Sequence, residues 1–383
     1  MEYKQSALEM KRNIKLSKSS ITSEEILAVN KVLSKEYLGM GEEVRKFELE
    51  LSSFFQRKVL CVSTGTAAIQ LALQAVGIGR GDEVLVQSLT YVATFQAISA
   101  LGAIPIACDI EGDSLTIDLV DAGNRITSRT KAIVPVHYAG NPGNLASIYN
   151  FARQHDLRVI EDASHAFGSN YKGKLIGSFG DVCAISLDGI KNLTSGEGGI
   201  VISDDTEVLQ AVSDARLLGV MKDSEKRYEG LRSWDFDVCN QGWRYHMSNI
   251  MAAIGLVQLN RFEDLKGKRQ MLAMNYVNIL KGKVDIINCD YSEIVPHIFV
   301  VFVDDNSRDR IREELNELGI STGLHYKPNH LLTYFKNIKG SDRFPVTDRA
   351  YRRLITLPLH PDMSKEDVEY VCKNLLELVG ANN

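Results

Sequence analysis

Apolar residues in this chain fall into two kinds of pattern. Near the start they recur at helical spacing. Ile26, Val29 and Leu33 follow Thr22, which has Glu25 three positions on, the arrangement of a capping box. A second helix is expected after the break at Gly39-Met40-Gly41, with Val44, Phe47 and Leu51 as its stripe. The pattern then changes to short continuous runs, at 59–62, 84–86, 104–107, 132–136, 157–160 and 182–187. Their starts lie 20 to 28 residues apart, which leaves room for one helix between successive strands. Runs without alternation are typical of strands covered on both faces. The pattern therefore predicts an α/β fold with a mostly parallel sheet wrapped by helices, and a further strand near 198–203.

From about Asn249 the texture changes again. A helical stretch at 250–262 leads to a shorter strand at 298–303, a helix at 308–318 and a closing helix at 365–379. At 383 residues the chain exceeds what one hydrophobic core usually organises. The expected division is a large domain over 1–250, including the N-terminal helical segment, and a smaller α/β domain over 251–383.

Composition narrows the classes without naming one. The chain is 44% apolar and 24% charged with a formal charge of −5, which suits a globular protein and offers no overall basic field for nucleic acid. No apolar run approaches the roughly 20 residues of a membrane-spanning helix, and the opening is too polar for a secretion signal. A cytoplasmic protein with no membrane partner is expected. The six cysteines are scattered and never form CxxC, so no metal site is expected. Cys61, Cys108 and Cys183 lie within apolar runs and read as small buried hydrophobes.

Candidate chemistry comes from a few stretches. Gly77-Ile78-Gly79-Arg80-Gly81 is glycine-rich, but it precedes a strand and position 82 is Asp, so the dinucleotide fingerprint fails. It reads as a helix end and turn, with Gly77 and Gly79 free to take positive φ. Ser63-Thr64-Gly65-Thr66-Ala67-Ala68 instead follows a strand and opens a helix, which suits either a phosphate cradle or a simple cap by Thr64 or Thr66. Glu161-Asp162-Ala163-Ser164-His165 ends another strand, and there Asp162 either caps a helix or pairs with a cationic ligand atom. Lys191 stands just past a buried strand and ahead of Ser195-Gly196-Glu197-Gly198-Gly199. A lysine in a dry cleft has a lowered pKa and can bond a carbonyl carbon.

Taken in order, STGTAA, TYVAT, EDASHAFGS and SLDGIKNLTSGEGG resemble the sugar aminotransferase family often called DegT/DnrJ/EryC1/StrS, from about residue 17 to the C-terminal helix. The resemblance implies a PLP-dependent transferase fold of the aspartate aminotransferase type (fold type I). It also implies roles. Lys191 would bond PLP and move the proton; Asp162 would pair with the pyridine nitrogen. Tyr91 would stack on the ring and His165 would sit near its hydroxyl. Gly65, Thr66 and Ser186 would hold the phosphate, and His325 and Tyr326 match a stretch near the sugar in relatives. Without the resemblance, Tyr91 and Tyr326 read equally as packing aromatics, and His165 and His325 as half-buried histidines.

Two departures stand out. Relatives commonly read SFHxxKN where this chain has Leu187-Asp188. They also commonly carry, in GYNYRM, an asparagine that reaches the PLP phosphate of the neighbouring subunit; Arg244 stands there instead, and arginine suits a phosphate. The resemblance thus implies a homodimer with its active site at the subunit interface. The implied reaction moves nitrogen from L-glutamate to a nucleotide-linked keto sugar in two half-reactions. Lys15-Leu16-Ser17-Lys18 and Tyr37-Leu38-Gly39-Met40-Gly41 resemble members acting at C4 of 4-keto-6-deoxyhexoses, for an amino sugar of a surface polysaccharide such as O-antigen or lipopolysaccharide, or of a glycosylated product. The alternatives are amination of a 3-keto sugar, sugar dehydration (where relatives replace the lysine by histidine) and a PLP-binding regulator without turnover.

Overall fold

The computed structural model describes residues 12–337 and 343–380; the polar opening up to residue 11 lies outside them. Each expected strand forms. In chain order they are β1 (Lys58–Val62), β2 (Glu83–Gln87), β3 (Ile104–Cys108), β4 (Thr130–Val134) and β5 (Arg158–Asp162). A two-stranded hairpin, β6 (Asn170–Tyr171) and β7 (Lys174–Leu175), precedes β8 (Val182–Ser186) and β9 (Gly199–Ser203). Seven of these form one sheet in the order β1-β9-β8-β5-β4-β2-β3. Its pairings are parallel except for the two that β9 makes. β2, β8 and β9 are buried along their whole length, as continuous apolar runs require.

The helices α1 (Ser23–Ser34), α2 (Glu42–Phe55), α3 (Gly65–Ala75), α4 (Val92–Ala100), α5 (Leu119–Asn124) and α6 (Leu145–Gln154) flank or connect the first strands; α7 (Thr206–Ala215) and α8 (Asp223–Tyr228) follow β9. Thr22 and Glu25 form the expected capping box. The expected stripe of α1 does not turn inward, however. Val32 and Glu25 are buried, while Ile26 and Leu33 stay exposed. Glu25 is drawn in because Gln258 and Arg261 donate to its carboxylate from the far side.

The second unit is a three-stranded antiparallel sheet, β10 (Asp285–Ile286), β11 (Phe299–Phe302) and β12 (Leu354–Leu357). The elements around it are α9 (Asn249–Asn260), α10 (Phe262–Leu280), α11 (Arg308–Glu317), α12 (Pro345–Arg353) and α13 (Lys365–Gly380). The packing passes from one core to the other later than residue 250. Ala252 and Phe262 pack with the core under the large sheet, whereas Leu272 and Tyr276 pack with β11 and α13. Ile14, near the start of the chain, also joins the second core and bridges Ile320.

Arg216 ties the large unit together from inside. Fully buried, it pairs with Glu48 of α2 at 2.5 Å and donates to the Cys61 carbonyl of β1 and to the Tyr228 hydroxyl of α8. Removing one partner of a buried pair strands the other charge. Arg216→Met is expected to lower stability by about 3 kcal/mol, seen as an earlier urea midpoint. Adding Glu48→Leu should recover part of that loss; a double variant weaker than the single would contradict this.

Candidate active site

The carboxyl ends of β1, β2, β5 and β8 open into one cleft of about 490 Å³. Carboxyl ends of parallel strands are where α/β sheets place ligands. After β1 the chain turns straight into α3. Thr64 caps that helix, its hydroxyl accepting from the Ala67 N–H at 3.0 Å, so the capping choice left open between Thr64 and Thr66 falls to Thr64. Its carbonyl takes the Ala68 N–H. The Gly65 and Thr66 amides are left as the unspent donors of the first turn, aimed where an anion would sit. Only glycine fits at 65: a Cβ there would stand 2.6 Å from Cβ of Ser186. Ser186, at the end of β8, accepts the Asp188 N–H at 3.3 Å, which leaves its own hydroxyl proton free to donate.

Asp162 ends β5 and is buried. No helix follows it. Its Oδ1 accepts from the Ser164 N–H (3.2 Å) and hydroxyl (2.6 Å), and its Oδ2 accepts from the Thr94 hydroxyl (2.7 Å). None of the ion pairs among the described residues includes it, so it is a buried carboxylate served only by neutral donors.

Lys191 faces it from the loop between β8 and β9, and is half-buried. That loop is tied down at several points: the Lys191 N–H donates to the Asp188 carbonyl, Asn192 donates to the Val295 carbonyl at 2.8 Å, and Gly196 takes φ +83°. Burial lowers the Lys191 ammonium to about 8; Asp188 and Asp162 oppose the fall and Arg269 adds to it. Asp188, the departure from the family pattern, acts first as a turn former, its Oδ1 accepting the Ile190 N–H at 3.2 Å.

His165 is buried, and its Nδ1 accepts the Ala139 N–H at 3.3 Å. A neutral ring that accepts at Nδ1 carries its proton on Nε2, which meets the Tyr326 hydroxyl at 2.9 Å. Burial first, then Lys191 and His325, hold this imidazole far below its ordinary range. The Tyr326 phenol is pushed up by burial. His325 donates or accepts at Nδ1 with Thr356 (2.9 Å) and is pushed down to about 4 by burial and Lys191. The Tyr91 ring lies 5.4 Å from that of Tyr326 at the cleft mouth.

Gly65, Thr66, Tyr91, Asp162, His165, Ser186, Lys191, His325 and Tyr326 therefore line one cleft. Arg244 does not line it. Exposed, it lies on a stretch that bridges Leu217 and runs beside the end of β1, where the Ser63 N–H meets the Tyr245 carbonyl. Elsewhere one detail changes: the turn after α3 uses positive φ at Gly77 and Gly81, not at Gly79. Two residues near the chemistry escaped the sequence reading. Thr94 was signalled by its place one turn into the helix after Tyr91. His297 had no signal, for it is a single histidine ahead of an ordinary strand, yet its Nε2 lies 3.4 Å from Lys191 Nζ.

The sequence profile of the DegT/DnrJ/EryC1/StrS aminotransferase family matches residues 19–376. The chain is 36% identical over 370 residues to the spore coat polysaccharide biosynthesis protein SpsC of Bacillus subtilis, covering 94% of this chain and 95% of SpsC. Among solved structures it is similar to Spr1654 of Streptococcus pneumoniae in its PMP-form, at TM-score 0.90 and 30% identity, covering 97% and 98% of the two chains. It is also similar to PseC of Helicobacter pylori, an aminotransferase involved in the biosynthesis of pseudoaminic acid. There the TM-score is 0.88 at 26% identity, covering 97% of this chain and all of the other.

Proposed function

The chain belongs to the DegT/DnrJ/EryC1/StrS aminotransferase family and is a PLP-dependent sugar aminotransferase of fold type I; from that premise we propose that L-glutamate is its donor and a nucleotide-linked 4-keto-6-deoxyhexose its acceptor. One observation carries the assignment of roles: an amine lowered to about 8 and an ion-unpaired buried carboxylate line the same cleft. The cleft residues fit PLP. The missing Cβ at Gly65 lets Ser186 pack against the first turn of α3, and the two unspent amides with the Ser186 hydroxyl suit a phosphate. Asp162 has neutral donors only and suits a protonated ring nitrogen.

PLP when bound supplies an electron sink beside the carbon that loses or gains a proton. The chain's own residues do the rest. Lys191 would hold the cofactor through Nζ, and the same atom would carry the proton in each half-reaction. Asp162 would keep the ring nitrogen protonated, Tyr91 would cover the ring and His165 would face its hydroxyl. His325 and Tyr326 bound the sugar side. Arg244 of one copy would reach the phosphate held by the other, in a homodimer. The exposed apolar side chains of a single chain, Ile26, Leu27 and Leu33 on α1 and Trp234 and Phe236 near Arg244, support that assembly.

The lean to C4 rests on the stretches at 15–18 and 37–41. The SpsC likeness supports an amino sugar bound for a surface polysaccharide. All six cysteines are unpaired, which fits a cytoplasmic enzyme, and no helix among the described residues is long and apolar enough to cross a membrane. The test is a panel of nucleotide-linked 4-keto and 3-keto sugars assayed with L-glutamate, alongside borohydride fixation of the cofactor. We expect fixation at Lys191 and amination of the 4-keto members. Amination of 3-keto sugars alone would reverse the regiochemistry, and fixation with no amination at all would leave a binder without turnover.

A further inference from the structure

Lys191 meets the second unit through one side chain that has no part in the reaction proposed so far. His297 lies on the segment leading into β11 and is buried, and its ring packs 4.5 Å from that of His165. Its Nε2 stands 3.4 Å from Lys191 Nζ, while its Nδ1 is buried with no hydrogen-bond partner among the described residues. A neutral imidazole carries one N–H. A buried N–H left without an acceptor is rarer in folded proteins than an acceptor left without a donor. The orphaned Nδ1 is therefore the bare nitrogen, and the proton sits on Nε2, directed at the lysine.

The two residues are also fastened together. Arg269 of α10 is buried and forms none of the ion pairs found among the described residues. Its guanidinium donates to the carbonyls of His297 (3.3 Å), Leu359 (3.3 Å) and Ile190 (3.4 Å). It thus grips both the histidine and the residue just before Lys191. Three carbonyls repay only part of the cost of burying a cation there, and an apolar core residue would have served a purely structural role.

We propose that His297 is a positioning residue for Lys191, its Nε2–H donating to Nζ so that the free amine is held in place and its charging opposed, with Arg269 keeping the pair in register. The proposal rests on Lys191 being the residue that bonds the cofactor. It differs from that reading in what it predicts for the cofactor-free protein.

Every group facing the amine bears on its titration. Asp162 and His165 come from the end of β5, Asp188 from the lysine's own loop, Arg269 from α10, His297 from the approach to β11 and His325 from beyond α11. The two carboxylates favour the ammonium, burial and Arg269 oppose it, and His165, His297 and His325 are themselves kept neutral by burial. A donor aimed at the lone pair adds to the opposition. Removing it should let the ammonium form at higher pH.

The experiment is trace acetylation of the cofactor-free protein with acetic anhydride across a pH series, reading the Lys191 peptide by mass spectrometry. The wild type should titrate near 8. In His297→Leu the midpoint should rise by about half to one pH unit, a three- to tenfold loss of free amine at neutral pH. His297→Gln, which keeps an N–H donor at that place, should titrate closer to the wild type. A folded His297→Leu protein whose midpoint stays or falls overturns the proposal. Should that variant not fold, the histidine tautomer decides: nitrogen NMR of the histidine-labelled, cofactor-free wild type, at a pH above the Lys191 midpoint, should find His297 protonated on Nε2, and protonation on Nδ1 there overturns it. Failure of borohydride to fix PLP at Lys191 would instead sink the cofactor reading and leave this titration standing.

Discussion

Replacing Lys191 by alanine is expected to lower turnover by about 10⁴-fold or more while the protein still takes up PLP. Proton transfer by a placed side chain alone is worth about 10²–10⁴-fold. In the proposed assignment the same amine would also bond the cofactor, so both contributions would go together. Uptake should survive because the phosphate end is independent of the lysine side chain: the Gly65 and Thr66 amides belong to α3, and Ser186 ends β8 before the Lys191 loop begins. Lys191→Arg is the sharper variant. It keeps a cation in the same loop but one that stays protonated at any working pH, so it can neither attack nor shuttle. We expect both variants to be equally inactive. The half-reaction with L-glutamate, followed by the cofactor's absorbance, separates this loss from failed sugar binding. Retention of more than about 1% of turnover in either variant would mean that another base carries the proton.

Much of this could be read from residue order, and the limits have physical causes. Strands covered on both faces must be apolar throughout, so β2, β8 and β9 announce themselves. Capping also reads locally, because Thr22 and Glu25, or Thr64 and Ala67, lie within one turn of each other. The direction in which a stripe faces does not read locally. Ile26 and Leu33 have the spacing of a buried face, but α1 turns Glu25 inward, and only its partners Gln258 and Arg261 reveal why. The passage into the second unit is blurred in the sequence for a similar reason: the texture changes at 249, but α9 still packs on α1 and α2 and joins the larger core.

The site divides in the same way. Residues at strand ends followed by small-residue turns (Gly65, Asp162, Ser186, Lys191) carry their signal in the neighbouring chain. His297 does not, since its meaning lies in a contact across 106 positions. Arg244 is the opposite case. It was singled out by a departure from pattern, yet it stands exposed outside the cleft of its own chain.

Asp162→Asn should be the second most damaging change, at about 10²–10⁴-fold in turnover. The substitution is nearly isosteric. The carbonyl of the introduced carboxamide can still accept from Ser164, and its NH₂ group can turn toward the Thr94 hydroxyl, so the fold should hold. What is lost is the negative charge. In the native site Asp162 is buried and accepts from the Thr94 hydroxyl at 2.7 Å and the Ser164 hydroxyl at 2.6 Å, with no cation among its partners. In the proposed assignment the ring N–H of PLP would be that cation. Taking one member from a buried pair costs about 3–5 kcal/mol, which is the stated loss in rate if it falls on the step that needs a charged ring. Sugar binding involves other residues, so KM for the acceptor should stay within a few-fold of wild type while kcat collapses. A variant as active as wild type to within tenfold would show that the carboxylate is there for Ser164 and Thr94 alone. A matched fall in kcat and stability would point the same way, whereas a fall in kcat at an unchanged urea midpoint identifies the charge as the cofactor's counter-ion.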